Sequence, residues 1–330
     1  LLSMENVLEP YSSLLENSMI GIKAISSYIP KEGVDNFKQA ETFEESASFV
    51  ETKLGARFLP RLEQGDDTSD IAVKAVDALL CESDLAKEDI DALIVVTQNP
   101  DGQGLPHCAA LVHKKLALPT HVAAFDVSLG CSGYVYGLSI LQGFLAASGK
   151  KNGVLVTADP YSKVITTPNR TTSMLFGDAA TATWMGENPQ LVVSDCSFGT
   201  DGKGAEHLKV EQGELYMNGR QVFNFASLNV APAIKTLLEK NDWPEESVDA
   251  FILHQGSLAI VDAIARRFKG SEAKFIKALE NTGNTVSSSI PLILKNYLSN
   301  DNSARLVLSG FGVGFSWATC LLKRNEEYVN

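Results

Sequence analysis

Three side chains in this sequence have the types and settings that nucleophilic catalysis uses: a cysteine at a glycine turn, a histidine at a strand end and an asparagine among small residues. Cys131 lies in FDVSLGCSGYVYGLSILQGFLAASG, which reads as a strand, a glycine turn and a long helix with Tyr134, Leu138, Leu141 and Leu145 on one face. A thiol at or near a helix N-terminus meets unpaired N–H groups and the positive end of the helix dipole, which favour thiolate and lower the pKa from about 8.5. Gly130 and Gly133 leave room for a substrate to approach the sulfur. The bland alternative is a buried structural cysteine, which is the reading for Cys81, Cys196 and Cys320.

His254, in DAFILHQG, directly follows a short apolar strand, so its imidazole projects from a strand end. Alone, such a histidine is more often a satisfied core residue than a catalyst. Asn284, in ENTGNTVSSSIPLIL, sits between small residues at an expected helix start, where by itself it would be an N-cap. The segment LSGFGVGFSWATCLL is a glycine-rich turn between two strands. As a dinucleotide fingerprint it fails, because a strand and not a helix follows; a backbone turn offering N–H to an oxyanion fits better.

The elements that must position these residues come in duplicate. IAVKAVDALLCESDLAKEDIDALIVVTQ (71–98) aligns without a gap with NVAPAIKTLLEKNDWPEESVDAFILHQG (229–256) at a constant offset of 158 residues. Each copy reads as a helix, a polar turn and an Asp-led strand, at Leu93–Val96 and Phe251–Leu253. GVLVTAD (153–159) likewise resembles ARLVLSG (304–310). The sequence is therefore expected to form two fused α/β halves with mixed sheets covered by helices, 19–185 carrying the cysteine and 186–330 carrying the histidine and asparagine, after an N-terminal extension, 1–18. Cys131 opens a helix in one half, Asn284 the corresponding helix in the other, and His254 stands where the first half has the apolar Val96. A pseudo-twofold arrangement brings all three toward the centre.

Composition narrows the function classes. With 330 residues, 45% hydrophobic and 21% charged, the chain has ample material for a core and no linker-like block. Its apolar runs fall far short of the roughly 20 residues that a membrane helix needs, and the acidic start does not read as a secretory signal. A net charge of −12 argues against general affinity for nucleic acid. Five scattered cysteines without metal-ligand spacing suit a reducing cytoplasm, and HCAALVH lacks ligand spacing too, so no metal is expected.

GCSG at the helix start, HQG, NTGNT followed by SIP, and GFGVGFSW resemble, in order and spacing, the β-ketoacyl-acyl carrier protein synthase III family. The resemblance runs from MIGIKAISSYIP to WATCLL and includes TSDIAVKA and MLFGDAATAT, so it spans nearly the whole chain. Related thiolases carry a second catalytic cysteine in the C-terminal glycine motif, and elongating synthases use two histidines; this sequence has neither. Chalcone-synthase-like enzymes share Cys-His-Asn, but with a different glycine turn.

The resemblance implies the thiolase fold, an αβαβα layering of the two halves, with Cys131, His254 and Asn284 as the catalytic trio. It implies that Cys131 takes an acyl group from acyl-CoA, with an oxyanion held by the backbone of Cys131 and of the turn Gly312, Val313 and Gly314. His254 and Asn284 then support decarboxylative condensation with a malonyl thioester on acyl carrier protein, beside Phe311. It further implies a cytoplasmic homodimer of fatty-acid or lipid metabolism that needs no metal or cofactor, CoA entering only within the donor.

Departures limit the carry-over. Phe49 and Lys53 replace the family's CoA-contacting tryptophan and arginine, while Arg170 matches its other CoA-contacting arginine. Leu105 stands where the family sends a phenylalanine into the partner subunit's acyl pocket; Ser257 replaces an amide and Ala259 a docking arginine. Arg266 and Arg267 match a basic pair and are carrier-docking candidates, or simply a solvated helix face. Smaller residues at these positions suggest a specialised paralogue. A non-decarboxylating acyltransferase and a silent scaffold subunit are the rival readings.

Overall fold

The computed structural model describes residues 19–298 and 304–325, so the N-terminal extension expected at 1–18 lies outside the described residues. Nine strands form one mixed sheet: β1 (Gly21–Tyr28), β4 (Ala92–Val96), β5 (Ala123–Val127), β6 (Gly153–Ala158), β7 (Ala180–Gly186), β8 (Leu191–Thr200), β11 (Ala250–Leu253), β12 (Arg305–Gly312) and β13 (Ser316–Arg324). Their order is β11-β12-β13-β8-β1-β7-β6-β4-β5. Two small two-stranded sheets, β2 (Gly33–Asp35) with β3 (Phe58–Pro60) and the hairpin β9 (Leu208–Glu211) with β10 (Glu214–Met217), lie outside it. The longer helices are α1 (Thr68–Glu82), α2 (Cys108–Leu116), α3 (Gly133–Ser148), α4 (Gly219–Lys240), α5 (Leu258–Ala265) and α6 (Ser289–Leu298).

The duplication is visible in this order. β4 and β11, at the predicted offset, each follow a long helix and pair in parallel with a neighbour, β4 with β6 and β11 with β12. Both are buried throughout, which is why they read as continuous apolar runs and not as alternating ones. The two sets of strands are continuous through one pairing between β1 and β8, Ile22 opposite Leu191, so the expected pair of mixed sheets joins at a single seam.

The apolar clusters define the layers. α3 and α6 share one core with strand residues of both halves, among them Ile94, Leu155, Ile252 and Leu308, and form the central helical layer. α1 and α2 cover the other face of β4 and β6 through Ile71, Val76, Cys108 and Val112. α4 and α5 cover β11 and β12 through Ile234, Leu238, Val261 and Ile264. That is the αβαβα sequence of layers, and it sets the starts of α3 and α6 close together between the sheets.

Local sequence explains the key ends. α1 begins with a capping box in which the Asp67 and Asp70 side chains exchange bonds with the backbone, and α3 ends at Gly149 in the left-handed region, φ 64°. α4 is longer than the repeat suggests, because its first turns precede the segment that aligns with the first half. Those added turns reach the site described next.

Candidate active site

Cys131 does not open the helix itself. α3 starts at Gly133, with Ser132 as its N-cap, so Cys131 occupies the turn just before it. Asn284 differs similarly: a single 3-10 turn, Val286–Ser288, intervenes before α6, and Asn284 precedes that turn. His254 lies where expected, immediately after β11, its N–H bonded to the Ser309 carbonyl at 2.9 Å.

Glycines bring the elements into contact. A Cβ on Gly310 would lie 2.5 Å from the Cys131 carbonyl oxygen, and one on Gly312 would lie 2.9 Å from Cys131 Sγ. The end of β12 can therefore press against the cysteine only because both positions lack side chains. Ser132 and Ser316 join their hydroxyls at 2.5 Å, tying the start of α3 to the far side of the glycine turn.

Cys131, His254, Asn284, Phe311 and Gly312 line one cavity of about 280 Å³. Phe49, Lys53, Arg170 and Ser257 line it too. Arg170 stacks over the Phe49 ring at 4.9 Å and pairs with Glu45, which fixes one wall of the mouth. Ser257 caps α5 by accepting from Ile260 N–H at 3.3 Å. Val313 and Gly314 do not line the cavity, and of the turn only Gly312 does. Leu105 lies outside it at 93% exposure, and Arg266 and Arg267 sit at the end of α5, Arg267 donating to the Ser227 carbonyl at 3.2 Å.

Several lining residues carry no signal in the sequence. Tyr161, Phe176, Leu208, Met217 and Val222 make the cavity's interior mostly apolar. They come from separate segments, among them the β9–β10 hairpin and the first turns of α4, and nothing but the fold brings them together. Among the described residues no group of three His, Cys, Asp or Glu side chains is placed to hold a metal.

The electrostatics correct one expectation. The Cys131 thiol is not lowered: complete burial pushes it well above its ordinary value, and the Asp159 carboxylate adds to this, against a smaller opposing bond from the residue's own N–H. Desolvation of the thiolate is the largest of these effects. Asp159 is itself pushed up to about 7 by burial, despite bonds from Gln98 N–H and Asn99 Nδ2, so its charge is partly withdrawn at neutral pH.

Burial also pushes His254 down to about 3, so its ring is neutral at neutral pH. Nδ1 lies 2.8 Å from Ser289 Oγ, and Phe311 meets the ring edge-on with centroids 5.4 Å apart. Asn284 Oδ1 accepts from Val286 N–H at 2.9 Å, which assigns the amide orientation and leaves Nδ2 for the cavity. A buried thiol, a backbone turn against the sulfur, a neutral imidazole and an amide N–H can together form and discharge a thioester.

Fold and site together define the class as a thiolase-fold acyltransferase. Sequence models of the family match 125–202 (3-oxoacyl-[acyl-carrier-protein] synthase III) and 238–324 (its C-terminal region). The chain belongs to the 3-oxoacyl-[acyl-carrier-protein] synthase III family. It is 31% identical over 322 residues to the β-ketoacyl-[acyl-carrier-protein] synthase III of Streptococcus mutans, covering 92% of this chain and 98% of the relative. It is 32% identical over 308 residues to synthase III 1 of Bacillus cereus, with the same coverage. The crystal structure of the Thermus thermophilus synthase III superposes with a TM-score of 0.84 at 31% identity, over 92% of this chain and 99% of that one.

Proposed function

We propose that this chain condenses an acyl-CoA with malonyl-acyl carrier protein through an acyl-Cys131 intermediate. The observation that carries the reading is the meeting of Cys131 Sγ, Gly312, His254 and the Asn284 amide in one largely apolar cavity. In the first stage the sulfur attacks the acyl thioester, backbone N–H groups of Cys131 and the 312–314 turn receive the oxyanion, and the thiol proton ends on departing CoA. In the second, the malonyl carboxylate leaves as carbon dioxide. His254 Nε2–H and Asn284 Nδ2–H donate to the thioester oxygen, on which the enolate charge collects. The enolate carbon attacks acyl-Cys131, and the released thiolate takes up one proton.

Phe49, Lys53 and Arg170 take the CoA moiety at the mouth, Phe311 and Ser257 border the reacting groups, and Arg266 with Arg267 meets the acidic carrier protein. Leu105 fills a partner subunit's acyl pocket in a homodimer, and the chain divides functionally at 185/186 along its duplication. The reaction needs no cofactor beyond CoA in the donor, and a cytoplasmic setting suits the five free cysteines. Among the described residues no helix is long and apolar enough to cross a membrane. Leucine at 105 and alanine at 259 fit a specialised paralogue better than the initiator of bulk fatty-acid synthesis.

Intact-mass spectrometry of wild type and Cys131→Ala across a panel of acyl-CoAs, followed by a malonyl-carrier chase, tests the reading. One acyl adduct on wild type only, discharged with carbon dioxide release, is expected. An adduct that discharges to another acceptor without carbon dioxide points to a non-decarboxylating transferase; no adduct with any donor leaves a scaffold subunit.

A further inference from the structure

Two cysteines that read as structural in the sequence, Cys196 and Cys320, stand opposite each other in the main sheet. β8 and β13 pair antiparallel in unbroken register from Ser316 opposite Thr200 to Leu321 opposite Asp195, and Cys320 faces Cys196 within that run. Directly opposed residues in such a ladder have Cα atoms about 4.5–5.5 Å apart, inside the roughly 4.4–6.8 Å that a disulfide spans. Both side chains point to the same face of the sheet, since both pack into the central apolar cluster with α3. The two thiols are free and hydrogen-bonded to each other.

The pair is asymmetric, and the asymmetry assigns roles. Cys320 is fully buried, whereas Cys196 is only partly buried and offers its sulfur to a solute the size of water. The bond from the Cys320 thiol holds Cys196 below the ordinary thiol value, with help from the Lys240 ammonium, against burial and the Asp195 carboxylate. That carboxylate is itself engaged, pairing with Lys240 at 2.7 Å and accepting from Asn241 Nδ2 at 2.9 Å. Cys320 is pushed up by the same thiol–thiol bond and by burial, so it keeps its proton. Cys131 is completely buried and also pushed up. Oxidants react with exposed thiolate, which ranks Cys196 ahead of both.

We propose that Cys196 and Cys320 are a peroxide-sensitive pair that closes to a disulfide between β8 and β13. The Cys196 thiolate attacks hydrogen peroxide and the O–O bond breaks. A sulfenic acid forms, and the departing hydroxide leaves as water with the proton that Cys196 gave up. Cys320 then attacks the sulfenic sulfur, the S–O bond breaks, and a second water leaves with the Cys320 proton. The two thiols lose two electrons, one peroxide becomes two waters, and a dithiol returns the electrons. A reducing compartment keeps the pair open until an oxidant arrives, as suits a sensing cysteine with its resolving partner beside it. None of this depends on the acyl-transfer reading.

The whole chain is treated with hydrogen peroxide near neutral pH, blocked with iodoacetamide in denaturant and mapped by peptide mass spectrometry without reduction. Wild type is expected to give one linked pair of peptides carrying Cys196 and Cys320, reopened by dithiothreitol, with Cys131 still free to be blocked. Cys196→Ser should abolish the link. Cys320→Ser should strand Cys196 as a sulfenic acid, which dimedone captures at least about tenfold faster than any oxidised Cys131. Cys131→Ala should form the link as wild type does.

Wild-type Cys196 that passes on to sulfinic acid without forming a link overturns the proposal, and this holds even if neither serine variant folds. So does a link from Cys196 to any other cysteine or to a second chain. Oxidation of Cys131 ahead of Cys196, or a Cys196 that peroxide leaves untouched, overturns it as well.

Discussion

At Cys131 two effects of opposite sign meet. The residue's own N–H favours thiolate, while full burial and the nearby Asp159 carboxylate oppose it, and burial is the largest effect. The sign follows directly: with the pKa raised, the thiolate fraction at any pH below it falls about tenfold for each unit of pH lost. Carbamidomethylation of Cys131 by iodoacetamide, read by peptide mass spectrometry, should therefore keep rising by about tenfold per unit between pH 7 and pH 9. A plateau below pH 7.5 would mean that the N-terminal dipole sets the thiol after all.

At the scale of elements, the site depends on how closely β12 approaches the turn before α3. Gly312→Ala sets a methyl 2.9 Å from both Cβ and Sγ of Cys131, of which only the sulfur can rotate away, whereas Gly310→Ala meets main-chain atoms of Cys131 and Ser132 at 2.5 and 2.8 Å. The first variant is expected to lose less stability than the second, and about 100-fold in Cys131 loading because the methyl crowds the sulfur. The second should lose about 1–3 kcal/mol of stability as overpacked sites do, visible as a lowered midpoint. Equal midpoints in the two variants would mean that β12 can shift freely against α3. This close approach was only half legible in the sequence. The glycines of GFGVGFSW mark a turn, and the helix–strand repeat at offset 158 fixes which strands are equivalent, because periodicity is a local property. The thiol's burial, the 3-10 turn after Asn284 and the lining by Leu208 and Met217 depend on packing between distant segments. Ser289 was hidden for the same reason: in a run of small residues its partner 35 positions away leaves no trace.

For the whole molecule, the surface around β5 is the part left unfinished. β5 is an edge strand with every residue partly buried and none fully so, and such an edge invites pairing unless covered. The helix beside it, α3, buries Tyr134, Leu138, Leu141 and Leu145 in the central layer, yet its other side carries Tyr136, Ile140 and Phe144, partly buried against Phe125 and Val127. Phe125 and Phe144 rings lie 5.6 Å apart, and Tyr136 meets the 45% exposed Phe198 at 4.7 Å. This side of α3 is an apolar stripe and only partly buried, which suits a surface that a partner covers. A second copy related by a twofold axis can pair β5 with β5 and close both stripes at once. Val127→Asp adds a charge to this face without touching the cavity. Light scattering after size exclusion should give twice the chain mass for wild type and the single mass for the variant at micromolar concentration. A wild-type monomer, or a variant that stays paired, would place the interface elsewhere and leave the exposed Leu105 loop without the acyl pocket assigned to it.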